Sequence, residues 1–366
     1  MKIPYVDLGL QHRPLKDELL KAVEGVLDSG QFILGEETVK FEGEFAALCG
    51  TAHAVGLNSG TDALLLAFRA LGIGPGDEVI TAPNSYLASA SSIALAGATV
   101  RFADVREDFN LDPEAVARAI TPKTKAIAVV HLTGRPAPMD EILMLARKHG
   151  LKVVEDAAQA VGAKYRGRPV GSMGDAGCFS LHPLKNLNAC GDGGMLVTND
   201  LALADRVRLL RNHGHPNRDD CVEFSIVSRL DSVQAAMLRV KLRYLAEVTR
   251  RRRENADCYR EALAGCPGIR LPQDRPEEFS VYHTFIIECE RRDELRSHLD
   301  KKGIGSVIHY PIPIHLMQVG RKLGFKPGMF PVAERLAGRI LSLPIYPQIT
   351  KDQVLAISKE ILAFYS

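Results

Sequence analysis

The chain has 366 residues, of which 46% are hydrophobic and 25% are charged, and its formal net charge is +2. This length is enough for two domains, or for one large domain with an appendage. Because basic and acidic residues are interleaved, and because no window approaches the ~20 apolar residues of a membrane span, we expect neither a nucleic-acid partner nor a membrane partner.

Residues 50–200 alternate short apolar runs with helical patterns. Seven runs are rich in β-branched residues and nearly continuous in apolar character, as in strands buried on both faces: 52–57, 77–82, 99–104, 124–130, 151–156, 176–181 and 193–198. Helical spacing lies between them at 61–71, 86–96 and 139–150, and each helix ends at a glycine: Gly72, Gly97 and Gly150. The alternation predicts an α/β fold with a mostly parallel, doubly wound sheet, in which ligands bind at the carboxyl ends of the strands.

Beyond residue 230 the pattern changes. Residues 231–264 read as one long helix or a broken pair of helices, and a strand-like run follows at 281–290. A helical run, a Pro-rich loop (309–315) and a final helix (351–365) complete the chain. We therefore predict a large domain over residues 1–244, with an N-terminal arm, and a smaller α+β domain over residues 245–366.

Polar residues follow several of the predicted strands. Lys185 follows the 176–181 strand in a Ser/His/Pro turn, and Asp156 ends the 151–156 strand. A buried carboxylate is costly unless it is paired, and a protonated pyridine nitrogen is a suitable partner. Taken singly, the lysine also fits an ordinary loop, and the aspartate also fits a helix N-cap.

Two further strand ends carry candidate ligand-binding groups. The turn at 57–61 precedes a helix, whose free N–H groups attract phosphate, although such turns are also plain caps. Tyr86 follows the next strand and can stack on an aromatic cofactor, or it can be a core residue. A lysine, a carboxylate, a phosphate nest and a stacking ring at one rim are together the set of groups that a pyridoxal 5'-phosphate (PLP) enzyme needs.

Three segments carry a family resemblance: NSGTDALLLAFRALGIGPGDEVI, VVEDAAQAVGA and FSLHPLKNLNACGDGG. They resemble the DegT/StrS family of PLP-dependent sugar aminotransferases, which belongs to the aspartate aminotransferase superfamily with fold type I. The resemblance extends over nearly the whole chain, from IPYVDL near its start to LSLPIYPQIT near its end. It implies a large PLP-binding domain with a mostly parallel central sheet, plus a smaller C-terminal α+β domain.

The resemblance also implies roles for individual residues. Lys185 would form a Schiff base with PLP, and Asp156 would pair with the pyridine nitrogen. The remaining cofactor contacts would come from Ser59, Gly60, Thr61, Tyr86, Gln159 and Ser180. Three histidines are candidate substrate contacts: His182, His309 and His315. No metal is expected.

The chain departs from the family pattern at two positions. The family commonly has an asparagine, contributed by the neighbouring subunit to the cofactor phosphate, where this chain has Val227 in VSRLD. Ser228 or Asn217 is a candidate replacement. Asn188 stands where a small residue, often glycine, is usual.

The resemblance implies a transfer of the amino group from an amino acid, L-glutamate first, to a keto-sugar, with pyridoxamine 5'-phosphate as the intermediate form. A nucleotide-linked sugar is the first choice of acceptor, and a cyclitol ketone or a keto-sugar phosphate is the alternative. Homodimers with interface active sites are usual in the family. One branch has histidine in place of Lys185 and dehydrates sugars, so the lysine favours transamination.

Two other functions remain open. One is a regulatory member that keeps the fold without turnover. The other is a PLP lyase or desulfurase, for which Cys190 lies close in sequence, although packing in the turn suits this cysteine better. The seven cysteines show no CxxC pair and the N-terminus has no signal-peptide core, so we expect a cytoplasmic protein with free thiols.

Overall fold

The structure, a computed structural model, describes residues 2–366. Within them the strands are β1 (His53–Leu57), β2 (Glu78–Thr81), β3 (Thr99–Phe102), β4 (Thr124–Val130), β5 (Lys152–Asp156), β6 (Lys164–Tyr165), β7 (Arg168–Pro169), β8 (Ala176–Ser180), β9 (Gly194–Thr198), β10 (Ile269–Arg270), β11 (Glu278–Phe279), β12 (Phe285–Cys289) and β13 (Ile340–Leu343).

The α-helices are α1 (Leu8–His12), α2 (Lys16–Ser29), α3 (Glu36–Cys49), α4 (Gly60–Ala70), α5 (Leu87–Leu95), α6 (Pro113–Ala119), α7 (Met139–His149), α8 (Leu201–Leu210), α9 (Ser232–Leu242), α10 (Leu245–Ala262), α11 (Arg292–Lys301), α12 (Gln318–Lys322), α13 (Pro331–Arg339) and α14 (Lys351–Tyr365). Short 3₁₀ turns cover Arg13–Leu15, Leu132–Gly134 and Ile314–Leu316. No helix of residues 2–366 combines the length and the apolar character needed to cross a bilayer.

The central sheet has seven strands in the order β1-β9-β8-β5-β4-β2-β3. The pairs from β8 to β3 are parallel, whereas β9 runs antiparallel to both β8 and β1. Each of the seven predicted runs contains one of these strands, so the predicted α/β fold with a mostly parallel sheet is confirmed. Apolar residues from both faces of the sheet and the helices beside it form one large hydrophobic core, which explains the nearly continuous apolar runs.

Local signals set the helix ends that border the sheet. The Ser59 hydroxyl caps α4 by accepting a hydrogen bond from the Asp62 N–H at 3.1 Å. Helix α7 ends at Gly150, which has a φ of 63°, a conformation that glycine adopts without steric cost. The 231–264 region forms the broken pair, α9 and α10.

A second hydrophobic core lies around the small sheet β10-β12-β13 and helices α10, α11 and α14. The N-terminal arm joins it, because Ile3 is buried in this core and exchanges backbone hydrogen bonds with Gly303 and Gly305 at 2.9 and 2.8 Å. Conversely, Phe330 and Leu336 pack in the core of the large sheet. A domain boundary near residue 245 therefore stays a prediction, with chain segments crossing it in both directions.

Candidate functional site

The site lies at the carboxyl ends of adjacent parallel strands. Strand β5 pairs with β4 on one side and β8 on the other, and Asp156 stands opposite Cys178 in the register. Asp156 is the last residue of β5, and Ser180 is the last residue of β8. The turn after β8 carries Lys185, so the sheet directs the predicted lysine and carboxylate to the same rim, as expected for a parallel sheet.

Asp156 is buried without a cation. Its Oδ2 accepts a hydrogen bond from the Ser89 hydroxyl at 2.6 Å, and its Oδ1 accepts one from the Ala158 N–H at 3.2 Å. The residue is 5% exposed, and among residues 2–366 no lysine, arginine or histidine forms an ion pair with it. A buried carboxylate in such surroundings favours a positively charged ligand group.

Lys185 is partly buried beside this carboxylate. Burial lowers the pKa of its ammonium group to about 8, while the negative charge of Asp156 acts in the opposite direction. The two groups therefore belong to one electrostatic site. At neutral to weakly alkaline pH an appreciable fraction of Lys185 is the neutral amine, which is the form that acts as a nucleophile or a base.

The turn after Asp156 meets the Pro-rich segment at Tyr310. The side chain of Gln159 accepts a hydrogen bond from the Thr133 N–H at 2.7 Å and donates one to the Tyr310 hydroxyl at 3.1 Å. The ring of Tyr86 lies 5.7 Å from that of Tyr310, centroid to centroid. Tyr86 is 62% exposed, so it is a surface ring of the site, and the alternative interpretation as a core residue is wrong.

Burial and the nearby Asp156 charge raise the pKa of Tyr310, which keeps this phenol neutral. Tyr310 was not predicted as a site residue, although His309 and His315 on either side of it were. A Pro-rich loop has no periodicity that would show which side chain faces a site.

The structure brings two histidines close to Lys185. Burial, followed by the Lys185 charge, lowers the pKa of His309 to about 4, and His309 Nδ1 is 2.9 Å from the Ser342 hydroxyl. The same two causes lower the pKa of His283, whose Nδ1 is 3.2 Å from Asn186 Oδ1. Both rings are therefore neutral. His283, in the bend before β12, was not predicted, because it is over 90 residues from Lys185 in sequence.

The other two predicted histidines differ in position. His182 is exposed in the lysine turn, where its Nδ1 accepts a hydrogen bond from the Leu184 N–H at 3.3 Å. His315 is fully buried, with its Nε2 2.9 Å from Glu334 and its ring 4.7 Å from the Phe330 ring. This environment gives His315 a packing role, and no geometry supports its predicted substrate contact.

The predicted phosphate turn packs directly on the end of β8. A Cβ built on Gly60 would lie 2.8 Å from the Cβ of Ser180, so only glycine permits this approach. Thr61 and Ser180 are both partly buried here. The start of α4 therefore lies beside Ser180, and the free N–H groups of a helix start are suited to an anion.

A buried hydrogen bond between two side chains fixes the end of β5. Glu155 and His131 are fully buried, with His131 Nε2 3.0 Å from Glu155 Oε2. Although burial raises the pKa of Glu155, the hydrogen bond from His131 and those from the Gly171 and Gly174 N–H groups hold it below its usual value. This network anchors the residue that immediately precedes Asp156.

The first departure from the family pattern is Val227, for which Ser228 and Asn217 are the candidate replacements. Ser228 is buried and its hydroxyl is engaged within its own subunit, since it donates to Asp62 Oδ2 at 2.7 Å and accepts from the Asn58 N–H at 3.2 Å. It is therefore not free to replace an amide at position 227. Val227 is 45% exposed. Asn217 is exposed in the loop before it and accepts a hydrogen bond from the Asp219 N–H at 3.0 Å.

Asn188 connects the lysine turn to a buried lysine. Lys241 donates at 2.8 Å to both the backbone oxygen and the Oδ1 of Asn188, and Asn188 Nδ2 donates to the Lys185 carbonyl at 3.1 Å. A glycine would lack both side-chain bonds. The Cys190 Sγ lies 3.5 Å from the Lys241 Nζ, so this cysteine belongs to the hydrogen-bond network around Lys241.

The fold and the grouping of lysine, carboxylate and anion-binding turn define an aminotransferase. The chain belongs to the DegT/DnrJ/EryC1/StrS aminotransferase family, whose family model matches residues 14–362. A solved structure, that of S. venezuelae DesV in complex with a ketimine intermediate, superposes with a TM-score of 0.98 at 46% identity, covering 100% of this chain and 99% of that one.

Two curated relatives differ in what their names describe. The dTDP-3-amino-3,4,6-trideoxy-alpha-D-glucose transaminase of Streptomyces venezuelae is 48% identical over 357 residues, which is 97% of this chain and 94% of the relative. A pleiotropic regulatory protein of Geobacillus stearothermophilus is 42% identical over 368 residues, covering 100% of this chain and 99% of the relative.

Proposed function

We propose that this protein is a PLP-dependent aminotransferase that moves the amino group of L-glutamate to the ketone of a nucleotide-linked sugar, in amino-sugar biosynthesis. The observation that carries the proposal is the coupling of Lys185 to the unpaired, buried carboxylate of Asp156 in one site. The family membership supports the reaction class.

The residues of the site fit PLP. Asp156 lacks a cationic partner among the described residues, which suits a protonated pyridine nitrogen. The start of α4 with Ser59, Gly60 and Thr61, together with Ser180, suits the phosphate group. When bound, PLP supplies an electron sink for the charge that develops at the donor α-carbon.

The side chains of the chain itself supply the remaining chemistry. In its neutral form the Lys185 amine would take the proton from the donor α-carbon and, as the ammonium, give it to the C4′ carbon of the cofactor. Asp156 would keep the ring nitrogen protonated by placing a negative charge beside it. Gln159 is oriented by its hydrogen bonds with the Thr133 N–H and the Tyr310 hydroxyl, and it would hold the 3-oxygen side of the ring. Tyr86 would cover one ring face.

We propose a 3-keto nucleotide sugar as the acceptor. The name of the S. venezuelae relative describes amination at position 3 of a dTDP-linked sugar. His309 is neutral and lies near Lys185. A neutral imidazole can donate a hydrogen bond to a sugar hydroxyl or accept one from it. Cyclitol ketones and keto-sugar phosphates remain the alternative acceptors.

We further propose that the enzyme works as a homodimer in the cytoplasm, with its active sites at the subunit interface. The loop that carries Val227 also carries Phe224, which is 98% exposed. A phenylalanine so fully exposed favours an apolar partner surface. Seven unpaired cysteines support a reducing compartment.

The reaction can be tested in two halves. We expect the purified protein to show the absorbance of bound PLP, and we expect L-glutamate alone to convert it to the pyridoxamine form with release of one equivalent of keto acid. Adding 3-keto or 4-keto nucleotide sugars, cyclitol ketones and keto-sugar phosphates in turn should restore the PLP absorbance for the true acceptor class.

Lys185→Ala should abolish both the characteristic absorbance and the glutamate-driven change. The matched control is Lys152→Ala on strand β5, because Lys152 is exposed and pairs with Asp175 at 2.8 Å. An unchanged spectrum of the native protein in glutamate would refute transamination.

A non-catalytic regulatory function is the second candidate, favoured by the name of the G. stearothermophilus relative. The intact pair of Lys185 and Asp156 argues against it. A protein that binds PLP but leaves glutamate unconverted would support the regulatory function instead.

A further inference from the structure

A pair of buried serines connects Asp156 to helix α5. Ser89 donates to Asp156 Oδ2 at 2.6 Å, and Ser85 donates to the Ser89 hydroxyl at 3.0 Å. Ser85 and Ser89 are 2% and 1% exposed. These contacts join the loop after β2 and the first turn of α5 to the end of β5.

Chemistry fixes the direction of the hydrogen bond between Ser89 and Asp156. An ionised carboxylate only accepts hydrogen bonds, so the single hydroxyl hydrogen of Ser89 points to Asp156. The oxygen of Ser89 is then free to accept the hydrogen of Ser85, whose hydroxyl lies 3.0 Å from it and 3.2 Å from the Tyr86 carbonyl oxygen. With the Ala158 N–H on Oδ1, each carboxylate oxygen has one fixed donor, which sets the rotation of the carboxylate group.

The geometry points to Ser89 as a positioning residue for Asp156, with Ser85 supporting it. In this proposal, which rests on the proposed function, the hydroxyl of Ser89 holds the carboxylate in the orientation that keeps the cofactor ring nitrogen protonated. Ser89 itself does not contact the reacting atoms. Tyr86, the N-cap residue of the same helix, would cover the ring face, so two residues at the start of α5 would contribute to the site.

The variant Ser89→Ala removes the hydroxyl while keeping a residue suited to the helix. Hydrogen bonds to charged groups contribute ~1.5–3 kcal/mol, so we expect the glutamate half-reaction to slow by about 10- to 150-fold. The control is Ser92→Ala. Ser92 is also buried on α5, but its hydroxyl bonds to the Ala88 carbonyl at 2.7 Å and does not touch Asp156.

A spectroscopic readout separates positioning from folding. A protonated ring nitrogen lowers the proton affinity of the nitrogen that links the cofactor to Lys185. Ser89→Ala leaves Asp156 less well oriented, so a smaller fraction of the ring nitrogen is protonated. The pH midpoint of the cofactor absorbance should therefore rise, by up to about one unit. Ser92→Ala should leave this midpoint unchanged, and Ser89→Thr, which retains a hydroxyl, should return it towards the native value.

The outcomes distinguish this inference from the proposed function. If glutamate fails to convert the native protein, the proposed function fails. If the native protein reacts and Ser89→Ala matches Ser92→Ala in midpoint and half-reaction rate, only the role of Ser89 is overturned. Should Ser89→Ala lower the melting temperature of the cofactor-free protein, Ser85→Ala is measured in its place. A smaller shift in the same direction then supports the inference, and no shift overturns it.

Discussion

Lys185 determines the pH range in which the site is reactive. Burial lowers the pKa of its ammonium group to about 8, and only the neutral amine attacks a carbonyl. The rate of reductive alkylation of Lys185 by a small aldehyde, followed by mass spectrometry on the cofactor-free protein, should therefore rise with pH and level off above about 8. An unperturbed lysine would level off only above about 10.4.

The same assay tests whether Asp156 shares the site. The charge of Asp156 raises the pKa of Lys185, against the effect of burial. Asp156→Asn should therefore move the levelling point below 8, because the ammonium loses its nearby anion. Asp140→Asn, on the surface beside Arg166, is the matched control. An unchanged midpoint in Asp156→Asn would separate the two groups and remove the basis of the proposed function.

The sequence located some residues of the site and missed others for a physical reason. Lys185 and Asp156 were predicted because Asp156 ends one clearly apolar run and Lys185 follows another, and parallel strands bring their carboxyl ends together. Ser89, His283 and Tyr310 were missed because their contacts with the site join segments 67 to 151 residues apart. Such contacts depend on tertiary packing, which local patterns do not encode.

At the scale of elements, the start of α4 packs on the end of β8 through Gly60. A methyl group there would lie 2.8 and 3.0 Å from the Cβ and Cα of Ser180. Gly60→Ala must therefore move the helix away from the strand, and overpacking of this kind costs about 1–3 kcal/mol. Because both elements border the phosphate site, we expect PLP to bind about 5- to 150-fold more weakly, as measured by fluorescence titration.

Gly43→Ala is the control for this change. Gly43 is exposed on α3, and a Cβ built there meets no atom within 4 Å. Alanine favours a helix over glycine by about 0.5–1 kcal/mol, so this variant should melt slightly higher and bind PLP normally. Equal PLP affinity in the two variants would mean that the contact between α4 and β8 does not shape the cofactor site.

Long elements were predictable, and very short ones were not. The strands of the central sheet are buried on both faces, so their composition alone marks them. The two-residue strands β6, β7, β10 and β11 are too short to show a period of two. The antiparallel direction of β9 was also invisible, because burial on both faces gives the same apolar run in either direction.

At the scale of the whole molecule, exposed apolar side chains mark the surface where a second copy is proposed to bind. The loop preceding Ser228 exposes Val222, Phe224 and Val227 by 59%, 98% and 45%. Ser228 ties the end of this loop to Asn58 and Asp62 beside the phosphate turn. A partner that covers the loop would therefore lie next to the cofactor site, which links assembly to cofactor binding.

Phe224→Asp tests this link. A carboxylate placed in an apolar interface loses its hydration without gaining a partner, so the variant should sediment as a monomer at concentrations where the native protein is a dimer, and it should also bind PLP more weakly. Met144→Asp is the control, since Met144 is 59% exposed on α7, away from this loop in the sequence. A Phe224→Asp protein that remains dimeric would exclude the loop from the interface. A monomer with native PLP affinity would show that each subunit completes its own phosphate site, in accord with the replacement of the usual asparagine by Val227.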